Sequence, residues 1–414
     1  MFPLMGALLK DNRALRRFFV AFFQSQVGSG GAYVALLLVA YHRLHSGWAI
    51  SLVLLGEFVP GIVLAPLFGS LADHVSRRQL SVCGDLLRAA AFIALALIPS
   101  FASTVALAML AGVGSALFRP AINAAMPGMV PAAERSRLTA LFYASVNTGL
   151  MIGPALAAVL LLFASPRGVL LVNAATFVVS SLLLAGVDLG PRTGEDVAEQ
   201  DGRRAESVWA QTVEGARAVV RIPGLIVVMV VGALVVLTGA MFNVFAPLLA
   251  TGPLHAGSTG YSVLWALYGA GMVAGSWANA RAGSDIAGLR RRWLLGIGLS
   301  GLAMAAAALA PDLALAMFAF MIVGLAENLL VGPETRLVQE LVDEHLLGRV
   351  FGFKDLLENI AFVGAFLAAG ALLTLAGVRT VFVGAGLLTI ALALFGAIGF
   401  RIAPMPEPAL VPSE

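Results

Sequence analysis

The sequence holds one cysteine, Cys83, in 414 residues. A lone thiol makes no internal disulfide and no cysteine-based metal site. Its surroundings read as an apolar helix, where it is expected as a small core residue. Charge is scarce too: Asp, Glu, Lys and Arg make up 12% of the chain, against about 25% in soluble domains. A soluble fold is thereby excluded, because apolar runs longer than a mean helix recur and no soluble core can hide them all. No G-x-x-x-x-G-K-[ST] loop is present to cradle nucleotide phosphates, and no H-E-x-x-H helix to hold zinc. The five histidines, His42, His45, His74, His255 and His345, are scattered in loops. ATP hydrolysis and intramembrane proteolysis have no constellation, so the chain reads as neither an enzyme nor a cofactor or metal binder. The net charge is +3, but no basic face with interleaved aromatics appears, which speaks against a nucleic-acid partner.

What is present is apolar: 60% hydrophobic residues. A helix needs about 20 such residues to cross the hydrocarbon. The pattern predicts twelve helices, near 17–40, 47–68, 79–98, 101–119, 138–163, 168–187, 224–249, 260–281, 293–310, 313–332, 350–375 and 379–401. Runs such as "LLVNAATFVVSSLLLAG" do not alternate, so a closed barrel is excluded. The N-terminal "MFPLMGALLKDNRALRR" puts its apolar run ahead of its charges with no small-residue cleavage site after it, so the first span is expected to be retained. Arg13, Arg16 and Arg17 precede the first span. Arg77 and Arg78 follow the second, Arg119, Arg135 and Arg137 the fourth, and Arg290, Arg291 and Arg292 the eighth. The opposite loops hold Arg43, Arg167 and Arg379. That asymmetry predicts a multi-pass cell-membrane protein with both termini cytoplasmic; the lipid bilayer is its partner, and a monomer is expected.

The spans divide into an N-terminal six-helix bundle (1–190), a linker (191–222) and a C-terminal six-helix bundle with a short tail (223–414). In the linker, Trp209, Val213, Ala216 and Val220 share one helical face, and Gln211, Glu214, Arg217 and Arg221 the other. Such a helix lies at the membrane surface or packs on protein. A shift of about 212 residues aligns the halves. It sets "SRLTALFYASVNTGL" against "GRVFGFKDLLENIAF", Arg137 against Arg349, Asn147 against Asn359 and Asp73 against Asp285. Pro120 and Pro333, each read as following a fourth helix, match with one extra residue. Two parallel halves about an axis along the membrane normal place a site between them at the midplane.

The stretch "GSLADHVSRRQL" between the second and third spans resembles the signature loop of the major facilitator superfamily. Gly69, Leu71, Asp73, Arg77 and Arg78 match, while His74 and Ser76 depart from the family's arginine and glycine. The resemblance implies the all-α fold of that family, with twelve transmembrane helices in two pseudo-symmetric halves, and a loop that clasps the halves during transport. Gly69 permits close backbone approach where two helices turn, and Asp73 is suited to meet a helix N-terminus or a cation. "GLMIGPALAA" resembles the family's export-associated packing motif at Gly149, Gly153 and Pro154, with Ala157 and Ala158 in place of glycines. Small residues four apart bring helices close. The stretch from Phe118 to Leu161 resembles the macrolide-efflux and enterobactin-exporter branch. Ala108 stands where many proton antiporters carry arginine, so coupling through that position is not expected.

Charges within spans are costly and therefore functional candidates. Glu57 and Glu327 are the proton-coupling candidates, each without a cation one turn away in its own helix. Asp85 with Arg88, and Lys354 with Glu358, have the spacing of structural ion pairs. Gln24, Gln26, Asn147, Phe242, Asn243, Trp265, Tyr268 and Asn359 are candidates for lining a substrate cavity. The resulting expectation is a secondary transporter that exports a lipophilic small molecule, such as a drug, siderophore or secondary metabolite, by proton antiport with alternating access. The alternatives are a membrane sensor that does not transport and a facilitator that imports a small metabolite.

Overall fold

A computed structural model describes residues 12–44, 46–98, 100–131, 134–189, 208–281, 285–343 and 346–402. The described residues form helices only. They are α1 (Arg13–Leu44), α2 (Gly47–His74), α3 (Arg77–Leu97), α4 (Phe101–Ala125), α5 (Arg135–Leu160), α6 (Pro166–Ala185), α7 (Val208–Arg221), α8 (Pro223–Thr251), α9 (Gly257–Arg281), α10 (Ile286–Leu309), α11 (Leu313–Leu341), α12 (Leu347–Leu375) and α13 (Val378–Ile402). A short 3-10 turn, Met126–Met129, follows α4. Among the described residues, ten helices are long and apolar enough to cross a membrane.

Helix starts follow capping chemistry. Asn12 Oδ1 accepts from the Leu15 N–H, and Ser46 Oγ accepts from Trp48 N–H. Asp285 and Asp312 cap α10 and α11 through the N–H groups of Gly288 and Leu315. Each such cap satisfies an orphan donor at a helix start. Asp285, aligned with Asp73 by the repeat, thus works as an N-cap. Two sequence boundaries are corrected. α2 runs through Gly69 to His74, so the chain turns at Val75 and Ser76 and not at Gly69. Pro120 and Pro333 lie inside α4 and α11, where each removes one ladder bond without ending the helix.

The chain forms two compact units. Unit 1 comprises residues 1–199, 246–269 and 369–371; unit 2 comprises 200–245, 270–368 and 372–414. In unit 1, α1 packs on α5 and α6, α2 on α4, and α3 on α4 and α6. In unit 2, α10 packs on α11 and α13. The repeat is visible at single contacts. A Cβ on Gly84 of α3 would stand 2.8 Å from the Gly114 carbonyl oxygen and 3.1 Å from the Phe118 nitrogen of α4. Its counterpart on Gly296 of α10 would stand 3.0 Å from the Ala326 oxygen and 2.8 Å from the Leu330 nitrogen of α11. The same shift of about 212 residues relates all three pairs.

α1 crosses α5 through glycine on glycine. A Cβ on Gly30 would be 2.5 Å from the Gly149 carbonyl oxygen, and one on Gly153 would be 2.5 Å from the Val27 carbonyl oxygen. Pro154 is buried beside this crossing. The linker helix α7 packs on protein. Gly215 lies against the Arg349 backbone of α12, Glu214 pairs with Arg349, and Ala218 and Val219 are buried. Its inner face is thus offset from the expected one, leaving Val220 68% exposed. The side chains of Trp209 and Gln211 lie outside the described residues. Cys83 is exposed, not a core residue, because the buried face of α3 runs through Leu80, Ser81, Gly84, Asp85 and Arg88.

Candidate functional site

The tight crossing of α1 and α5 fixes the residues that follow it on α1. Tyr33 comes two residues after Gly31, and its ring meets Trp265 edge-on at 6.0 Å between centroids. Trp265 also meets Tyr261 at 6.5 Å and Tyr268 at 5.0 Å, both edge-on. These three come from the first turns of α9. Their placement depends on the preceding bend, where His255 and Gly257 take positive φ of 49° and 63°. Glycine adopts that conformation without a Cβ penalty. The result, wholly within unit 1, is four aromatic rings in the edge-to-face geometry that suits aromatic pairs.

Glu57 of α2 lies within electrostatic reach of the Tyr33 hydroxyl, as do Tyr261 and Tyr268. Its Oε2 is buried without a hydrogen-bond partner among the described residues. Its backbone is pressed on Gly112 of α4, while Gly56 packs on Ala108, whose Cβ would be 3.5 Å away from a Cβ there. Ala108 is fully buried. The α2–α4 contact therefore leaves no room for arginine at Ala108. The site so assembled offers apolar ring surface and one carboxyl group, the combination that binds a lipophilic molecule with one polar or cationic group.

Unit 2 holds a second cluster of charge. Lys354 of α12 bonds Glu358 one turn on, as expected. It also stands 3.2 Å from Glu334 Oε1 of α11. Trp293 Nε1 of α10 donates to Glu334 Oε2 at 3.2 Å. Glu334 was hidden in the sequence because Pro333 read as a helix end. Glu327 stands about two turns before it on α11, with Oε1 3.5 Å from the Cβ position of Gly239 on α8. Among the described residues, no hydrogen bond to its carboxyl group joins it to this cluster.

The other sequence candidates fall differently. Gln24 Nε2 donates to the carbonyls of Ala21 and Thr176, which makes it a tie between α1 and α6. Gln26 lies at the α1–α5 crossing, against Gly149. Phe242 is buried in unit 2, with its ring on Phe320 and Phe382, so it is a core residue there. Asn243 Nδ2 donates to the Ala240 carbonyl of its own helix, and Asn359 is half-buried on α12. Arg88 pairs with buried Asp85, its guanidinium 4.2 Å from the Phe118 ring centroid and 4.3 Å from that of Phe177. This desolvated pair is held by stacking as well as charge. Arg77 is half-buried and Arg78 exposed at the start of α3. The side chains of Gly69, Asp73 and Asn147 lie outside the described residues. Tyr33 and Tyr261 escaped the sequence reading because neutral aromatics in apolar helices carry no distinguishing pattern. No cluster of three or more metal-ligating side chains occurs among the described residues.

The chain resembles known proteins over nearly its whole length. The sequence profile of the Major Facilitator Superfamily matches residues 18–353 and 228–414. An uncharacterized MFS-type transporter, YfiS of Bacillus subtilis (strain 168), is 25% identical over 96% of this chain and 95% of its own. Macrolide efflux protein A of Streptococcus pyogenes is 23% identical over 83% of this chain and 86% of its own. The multidrug efflux pump Tap of Mycolicibacterium fortuitum is 29% identical over 92% and 94%. Among solved structures, a peptide transporter POT in complex with sulfate superposes with a TM-score of 0.70 at 15% identity, covering 96% of each chain. A bacterial homolog of the human lysosomal transporter Spinster gives 0.67 at 15% identity, covering 96% and 98%. These structures establish the fold. The all-helical architecture and the matching profile lead to one conclusion: this chain is a multi-pass membrane transporter, not an enzyme, and belongs to the Major Facilitator Superfamily.

Proposed function

We propose that the chain exports a lipophilic small molecule in exchange for protons, and that the substrate rests on Tyr33, Trp265 and Tyr268 with Glu57 as its polar anchor. The observation that carries this reading is the buried, unpartnered Glu57 oxygen near a set of edge-to-face aromatic rings. An uncompensated carboxyl group in an apolar setting costs several kcal/mol. A substrate cation or a proton offsets that cost, and alternation between the two is antiport. The efflux roles in the names of two relatives favour export over import. Transport proceeds by alternating access of two six-helix halves, 1–190 and 223–414, across twelve spans, with Asp73 in the clasp. Glu327 is the matching proton carrier of the second half.

The test is binding to purified protein. Erythromycin and a lipophilic cationic dye, titrated while tryptophan emission is followed, are expected to quench wild-type fluorescence saturably. Tyr33→Ala and Trp265→Phe should weaken dye affinity about tenfold, the loss of one ring contact of about 1–1.5 kcal/mol. Unchanged affinity in both variants would remove the aromatic cluster from the substrate site.

A further inference from the structure

A cavity lies wholly within unit 2, between α9, α10 and α11. It measures about 240 Å3, and its lining includes Ser276, Asn279, Arg292, Asn328, Gly332 and Arg336. Its charged lining is therefore all cationic. Drug-sized ligands occupy about 300–1,000 Å3, so the space suits a smaller polar group.

Three features give it a ligand chemistry. Arg292 and Arg336 approach from α10 and α11, and guanidinium forks match phosphate oxygens in geometry as well as charge. Asn279 Nδ2 donates to the Asn328 carbonyl at 2.5 Å, which fixes the amide. Its Oδ1 is buried with no partner among the described residues. The cavity thus joins an anion subsite to a buried acceptor that lacks an N–H or O–H donor. Gly332 keeps space beside Asn279, since a Cβ there would be 3.1 Å from Asn279 Nδ2.

The surroundings locate the cavity at a membrane–water boundary. Trp277 on α9 is 62% exposed and Val331 on α11 is 53% exposed. The Arg281 guanidinium covers the Trp277 ring at 3.4 Å. Tryptophan beside arginine at a helix end, next to exposed aliphatic surface, marks the headgroup level. A cationic cavity at that level meets the phosphates of lipids.

We propose that this cavity binds a phosphate ester whose head also carries a hydrogen-bond donor, as in the glycerol headgroup of an anionic phospholipid. The phosphate sits between Arg292 and Arg336, and a head hydroxyl donates to Asn279 Oδ1. Nothing in the proposed export cycle requires this site.

The experiment uses the full chain in detergent and follows its thermal midpoint with short-chain phosphatidylglycerol, phosphatidylcholine, glycerol phosphate or inorganic phosphate. Phosphatidylglycerol is expected to raise the midpoint by about 3 °C near 100 times its Kd. Phosphatidylcholine, which lacks the donor and the net negative charge, should raise it less. Arg292→Gln/Arg336→Gln should abolish the rise, while Arg290→Gln, outside the cavity lining, should keep it. Should the double variant misfold, Arg336→Gln alone changes an exposed side chain, and its phosphatidylglycerol retention by native mass spectrometry should fall about tenfold, the loss of one charge-assisted contact. Equal stabilisation by glycerol phosphate would place the source in water and overturn the lipid assignment. Equal effects of phosphatidylglycerol on wild type and both arginine variants, or of phosphatidylcholine and phosphatidylglycerol on wild type, would overturn the site.

Discussion

Lys354 Nζ stands 3.2 Å from Glu334 Oε1 while it also bonds Glu358. Two carboxyl groups on neighbouring helices thus share one ammonium, and Trp293 satisfies the other oxygen of Glu334. Removing Glu358 therefore leaves the lysine with Glu334 as a partner. Glu358→Gln should cost about 1 kcal/mol or less, as for a partly exposed pair. Glu334→Gln should cost about 3 kcal/mol, because it leaves Lys354 less compensated in a buried place. Thermal unfolding in detergent measures both. Equal losses would mean that Glu334 is no more than a neighbour.

The α1–α5 crossing makes a steric prediction. Gly153→Leu must push α1 away from α5, since even a Cβ there would be 2.5 Å from the Val27 carbonyl oxygen. Tyr33 would move with α1, so substrate affinity should drop with stability, by an overpacking cost of about 1–3 kcal/mol or more. Ala157→Gly, on the same face, should keep affinity within about twofold, since small residues suffice at such contacts. Normal dye binding by a folded Gly153→Leu protein would contradict the link between the crossing and the site.

Ala108→Arg restores the residue that many proton antiporters carry, yet it should impair this protein. Ala108 is fully buried against Gly56. A guanidinium there must part α2 from α4 or enter the membrane interior unpaired, at a cost of about 2.5–3.5 kcal/mol or more. Low yield of folded protein is expected, read by size-exclusion chromatography. Full yield with faster proton-driven transport would show that the family's usual coupling position remains usable.

Asp73→Asn tests the proposed clasp. Transport should slow several-fold while yield and dye affinity stay unchanged, since a clasp acts on the exchange between states and not on the site. Wild-type rates in well-expressed protein would reduce the loop to a topology signal.

Helix existence was legible in the sequence because apolar length is a local property. The offset of about 212 residues was legible for the same reason, and the contacts of Gly84 and Gly296 recur at that offset. Helix ends were less so: Pro333 and Gly69 look like stops, but packing carries α11 and α2 past them. Glu57 stood out because charge is rare in spans. Trp265 and Tyr268 also stood out, but Tyr33 and Tyr261 did not, since the approach of Tyr33 to Trp265 joins α1 to α9 across more than half the sequence. Gln24 and Phe242 illustrate the converse, as polarity or aromaticity alone does not separate a cavity wall from an interhelical bond or a core ring.

Proton-driven export through Glu57 is tested most directly in proteoliposomes holding purified protein, with dye movement measured under an imposed pH gradient and again in exchange without one. Wild type should accumulate dye against its gradient when protons flow the other way, and should exchange dye without it. Glu57→Gln should lose accumulation while retaining exchange, and Glu327→Gln should lose accumulation in the same way. Gradient-driven accumulation at the wild-type rate in both glutamine variants would contradict the account.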